Sequence, residues 1–85
     1  MNSVTFIREA NALIADIKDF KDRLLSEDEE QTQGAALQKR TNQLFSALQN
    51  PSLICAGELL EVARSAGIEV RLRGELAHQI AFFNN

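Results

Sequence analysis

An all-α fold is predicted for this chain, a small bundle of three to four helices. Three observations point to it: a heptad-like apolar stripe over residues 6–24, a proline break at Asn50-Pro51, and a strongly apolar segment after that break. Phe6, Ala10, Leu13, Ile17, Phe20 and Leu24 recur at steps of four and three, with Ile7 and Ile14 thickening the same side. That spacing is one face of an α-helix. Such a stripe must be covered, because contiguous apolar patches of this size are uncommon on soluble monomers. We therefore expect an N-terminal helical hairpin packed on a central third helix, all within a single domain over residues 1–85.

Ser3 or Thr5 is placed to cap the first helix, which should run to about Leu25. Its outward face mixes signs, and Asp19 and Arg23 stand four apart in the favourable order. Ser26-Glu27-Asp28-Glu29 then reads as a capping box, a serine whose hydroxyl takes a backbone N–H and a glutamate that reaches back to the cap. Four consecutive acids, Glu27 to Glu30, occupy the first turn, where the positive end of the helix dipole favours them. The second helix is expected from Glu27 to Gln49, with Leu37, Leu44, Phe45 and Leu48 as its apolar stripe and Thr41 in the slot between. A loop through residue 33 competes with its first turns, because Gly34 and the Gln/Thr stretch weaken a helix.

Proline disfavours the helical region for the residue before it and is welcome at a first helical position, so Asn50-Pro51 separates the second helix from a third. The third carries Leu53, Ile54, Ala56, Leu59, Leu60, Val62, Ala63 and Ala66, apolar around more than half its circumference. A helix of that kind is central. Gly67 is placed to take the left-handed conformation that ends it.

The tail admits two readings. Ile68-Glu69-Val70-Arg71-Leu72-Arg73 alternates apolar and charged residues, the period of a half-buried strand, while Glu75 to Phe83 fits a helix through Leu76, Ile80 and Phe83. A lone strand has no partner in this chain unless the tail folds back around Gly74 or a second copy supplies the pairing.

Composition narrows the function. The chain has 85 residues, is 45% hydrophobic and 25% charged, and carries a net charge of −3, an ordinary globular balance. A chain this short buries only about 60–65% of the surface its unfolded form exposes, so its stability margin is thin. The acidic balance argues against binding to a phosphate backbone. No run approaches the roughly 20 apolar residues of a membrane span. Arg8, Glu9 and Asp16 interrupt the N-terminal apolar stretch, which is unlike a secretory signal, and the expected location is the cytoplasm. The one cysteine, Cys55, fits a reducing compartment. Five Phe stand with no Trp and no Tyr, so the amphipathic aromatics that serve sugar and peptide recognition are missing.

Candidate chemistry is sparse. Cys55 and His78 stand alone, without the clustering that a metal site or a Cys–His nucleophile pair needs, so neither catalysis nor a cofactor is expected. Glu27 to Glu30 read as a solvated helix start. A segment over residues 59–76 resembles the DNA-binding helix-turn-helix pattern, with Ala63 and Gly67 at the four-residue offset of the turn and Arg71 and Arg73 as base or phosphate contacts. Arg73 falls where that pattern buries an apolar residue, and Gly74 weakens a recognition helix.

The expected function is that of a non-enzymatic protein–protein interaction module: an adaptor, a small chaperone or an inhibitor of a larger bacterial or phage protein. The expected contact residues are Phe6, Leu13, Ile17, Phe20, Phe82 and Phe83. More apolar face is present than a three-helix core of this length needs, which predicts a homodimer as well as a partner protein.

Overall fold

The computed structural model describes residues 1–72 and 74–84, and of residues 81–84 the backbone alone. Four helices follow one another: α1 (Ser3–Asp22), α2 (Glu27–Ser46), α3 (Ile54–Ser65) and α4 (Gly74–Asn84). Among the described residues there is no strand, so the all-α bundle holds.

Helix α1 is capped by Asn2 rather than by Ser3 or Thr5. The Asn2 side-chain oxygen accepts the Thr5 N–H at 2.8 Å. Asparagine is at least as good a cap as serine, because its short amide reaches the third helical N–H while its own backbone stays extended. The helix stops at Asp22, three residues short of the expected Leu25, because the chain needs Arg23 to Ser26 for its reversal. Ser26 must be extended (φ −64°, ψ 161°) to cap α2, and Arg23 is already extended (φ −83°, ψ 144°). Leu24, counted in the stripe from its spacing, therefore lies past the helix end and is fully exposed at 104%.

The serine cap at the start of α2 forms, and Glu29 reaches back to the Ser26 hydroxyl rather than to its backbone N–H. The Glu29 N–H donates to Ser26 Oγ at 3.2 Å, and the Ser26 hydroxyl donates to Glu29 Oε1 at 3.0 Å. Helix α2 runs unbroken through Gly34, so the loop alternative is overturned; it ends at Ser46, not Gln49. Packed against α1 in an antiparallel hairpin, it brings Arg40 to Asp16 at 2.9 Å and Gly34 under the Phe20 ring. The ion pair is half exposed and contributes little.

Pro51 does not open the third helix. It occupies a turn in which Asn50 Oδ1 accepts the Ser52 N–H at 3.1 Å and the Leu53 N–H donates to the Asn50 carbonyl at 3.4 Å. Asparagine at the first turn position and proline at the second suit that geometry, and α3 begins only at Ile54. Its C-terminus closes as expected at Gly67, with φ at 76°. Gly67 N–H donates to Arg64 O at 3.1 Å and Ile68 N–H to Ala63 O at 3.0 Å, the pair of bonds of a Schellman motif.

The core is one cluster. Phe6, Ala10, Leu13 and Ile17 of α1 meet Leu37, Leu44 and Phe45 of α2 and Ala56, Leu59 and Ala63 of α3. Among the described residues the packing of α1 on α3 is the most extensive, and α4 packs on α3, with its Ile80 buried in the core cluster. Three alanines, Ala10, Ala56 and Ala63, are wholly buried. Small side chains there let helix backbones approach closely. Thr41 is the one buried polar residue among those described, and its hydroxyl donates to the Leu37 carbonyl at 2.7 Å. That bond removes the cost of an unpaired hydroxyl in the apolar stripe.

Residues 68–72 are neither helix nor paired strand. The expected alternation is real: Ile68 is buried, Val70 and Leu72 are half-buried, and Glu69 and Arg71 are exposed. No neighbouring strand satisfies the backbone. Two side-chain amides from α2 do so instead. Asn42 Nδ2 donates to the Glu69 carbonyl at 2.9 Å, Asn42 Oδ1 accepts the Arg71 N–H at 2.6 Å, and Gln38 Oε1 accepts the Glu69 N–H at 3.1 Å. The second proton of the Asn42 amide goes to the Gln38 carbonyl at 2.8 Å, so every donor of that amide is used. Asn42→Ala removes two tertiary bonds, each worth about 0.5–1.5 kcal/mol net. The expected result is a stability loss near the sum of the two and faster hydrogen exchange at Arg71. An unchanged denaturant midpoint would show that the clamp is idle.

Candidate contact surface

The residues expected to meet a partner separate into three groups. Phe6, Leu13 and Ile17 are covered by the chain itself, at 1%, 2% and 0% exposure. The spacing that marks an apolar face cannot say whether the cover comes from the same chain, and here α2 and α3 supply it. Phe20 is half-buried at the rim of the bundle. The side chains of Phe82 and Phe83 lie outside the described residues, as does Arg73.

Outward lies a corner where three helix ends converge. The last turn of α1, the connection to α2 and the end of α3 enclose a hollow of about 380 Å³ whose apolar lining is Phe20, Leu24, Leu25 and Ala66. Its rim is charged, with Lys21 and Arg23 from α1 and Glu30 from α2. Lys21 Nζ donates to Ser65 Oγ at 3.0 Å, which ties α1 to the end of α3. Arg23 is held by Asp19 at 2.7 Å. A second hollow of about 240 Å³, lined in part by Asp16, Gln33, Ala36 and Leu37, also opens onto the Phe20 ring. Phe20 therefore supplies apolar surface to two concavities, and Leu24 projects from the rim of one. Other large apolar side chains stand outward as well, Val4 at 67% and Ile54 at 72%.

The reactive side chains are quiet. Burial pushes the Cys55 thiol above its ordinary pKa, and the nearby negative charge of Glu58 adds to the effect against two opposing backbone hydrogen bonds. The thiol is therefore protonated at neutral pH, the unreactive form. His78 lies exposed on α4, and its side chain makes no hydrogen bond or ion pair among the described residues. Among those residues no three of His, Cys, Asp and Glu come together at a spacing that could hold a metal ion, and no helix is long and apolar enough to cross a membrane.

The helix-turn-helix that residues 59–76 resemble, the alternative to a protein-binding module, does not form. Helix α3 ends at Ser65 and α4 begins at Gly74, which leaves eight residues between them where that motif has a turn of three or four. Arg71 sits on this connection, exposed, with its backbone N–H engaged by Asn42 and its guanidinium 3.7 Å from Glu69. Comparisons with protein-family models, with curated proteins and with solved structures return no match.

Proposed function

We propose that the protein is a non-enzymatic protein-binding module, an adaptor or inhibitor that docks a larger partner at the Phe20–Leu24 corner. One observation carries this reading: a leucine at 104% exposure stands beside a half-buried phenylalanine at a concave, charge-rimmed surface. Leaving such a side chain in water forgoes roughly 1.5–3 kcal/mol that burial would return. Concave apolar centres with polar rims are the anatomy of protein contacts, where a few central side chains dominate the affinity. Lys21 and Arg23 then set orientation and encounter rate more than strength.

The test compares capture by the wild-type chain with capture by Leu24→Asp, in the source cell's extract, read by mass spectrometry. Leu24 is fully exposed, so the variant is expected to keep its helical signal while losing a partner that the wild type retains. Equal capture by both chains overturns the reading. So does binding to duplex DNA that weakens steeply with salt and survives the substitution, because that behaviour belongs to phosphate contacts.

A further inference from the structure

A second feature lies away from that corner and does not depend on it. Along residues 68–72 the backbone bonds to α2 alternate: the N–H and C=O of Glu69 and the N–H of Arg71 all point at Gln38 and Asn42. Groups two residues apart that face one way are the pattern of a strand bonded along one edge, and in such a strand the residue between them faces the other way. That residue is Val70. Its N–H and C=O make no hydrogen bond among the described residues. The chain thus presents a short strand edge whose inner side is closed by amides and whose outer side has no hydrogen-bond partner among the described residues.

We propose that a second copy of the chain closes it, by antiparallel pairing of the two 68–72 segments about Val70. The occupant follows from the order of residues. Reversing Ile68-Glu69-Val70-Arg71-Leu72 places Val70 opposite Val70, Glu69 opposite Arg71 and Ile68 opposite Leu72. Every one of the five cross-strand pairs is then complementary, two of opposite charge on the solvent face and three apolar on the core face, with side chains about 4.5–5.5 Å apart at Cβ. The hydrogen-bond register agrees. A pair centred on Val70 exchanges both of its backbone bonds, and those are the groups left open. Ile68 N–H is already spent on Ala63, so at the flanks only the Ile68 carbonyl is offered, to the Leu72 N–H of the other copy. Unpaired strand edges are templates for such pairing, and a twofold axis keeps the contact closed rather than propagating.

Glu69 and Arg71 are exposed and joined only by a 3.7 Å surface contact, so exchanging their charges leaves the monomer fold intact. The wild-type chain is expected to have a mass near twice 9.5 kDa by light scattering at micromolar concentration. Its Val70 amide should become more protected from exchange as concentration rises. Glu69→Arg faces arginine with arginine twice, and Arg71→Glu faces glutamate with glutamate twice. Each is expected to weaken dimerisation about tenfold or more. Mixing the two variants restores both opposite pairs and should give a heterodimer of wild-type strength. The double exchange within one chain should restore the homodimer. A wild-type chain that is monomeric throughout the micromolar range overturns the proposal. So does a dimer insensitive to both single exchanges, and so does one lost instead in Leu24→Asp, which would put the second copy on the other corner.

Discussion

A chain carrying both Leu13→Ala and Ile17→Ala is expected to be unfolded at room temperature. Both side chains are closed off from solvent, at 2% and 0% exposure, one turn apart on the face of α1 that the rest of the bundle covers. Truncating a buried leucine or isoleucine to alanine costs about 2–5 kcal/mol, the lost burial plus the cavity left behind. Two such losses stand against a total stability on the order of 5–10 kcal/mol for a domain of this size. Neither cavity can collapse easily. Ala10, Ala56 and Ala63 already bring the helices close, so the backbones have little room to close further. Each single variant should still fold, with a melt lowered by about 4–8 °C per kcal/mol lost. Far-UV circular dichroism against temperature reads all three chains, and Asn11→Ala on the exposed face is the control. A double variant that melts within a degree or two of wild type would mean that this face is not the core.

The apolar stripe of α1 and the caps at Ser26 and Gly67 are legible because each depends on neighbours within one or two turns. Ser26 with Glu29, and Gly67 after Ala66, are local devices whose geometry follows from residue type alone. Leu24 was misread for the converse reason. Its spacing continues the stripe, but the reversal into α2 takes up residues 23–26, and only the tertiary path shows that. Pro51 was misplaced because proline suits both a first helical position and a turn. The Asn50 side chain decides between them. The alternation of residues 68–72 correctly showed which side chains face the core. It could not show that Asn42 and Gln38 replace a partner strand, because those amides lie about thirty residues away and look like solvated helix surface. The candidate surface was the least legible part. Phe6, Leu13 and Ile17 carry the strongest periodic signal, and the strongest signal in a small domain goes to its own core.

Phe45→Ala should be the most damaging single substitution, with a loss of about 3–5 kcal/mol. The ring is 1% exposed and meets Phe6 edge to face, with centroids 6.5 Å apart and planes at 60°. That geometry adds about 0.5–1.5 kcal/mol to what burial alone supplies. The surroundings make the loss worse. A hollow of about 140 Å³, lined by Leu48, Leu72 and Leu76 among others, already touches Phe45, so removing the ring joins its volume to an existing gap. Water could then reach the core through that gap, which an enclosed apolar cavity prevents. Leu72 would lose its backing at the same time, while the Asn42 and Gln38 bonds to residues 69 and 71 would remain. Denaturant unfolding with Phe45→Leu as the volume-sparing control separates cavity from chemistry, since leucine keeps most of the plug and gives up the aromatic pair. The expected order is wild type, then Phe45→Leu, then Phe45→Ala, with Arg71 amide protection falling only as far as global stability falls. If Arg71 exchanges far faster than global unfolding explains, the amide clamp holds segment 68–72 only while Phe45 supports Leu72 beneath it.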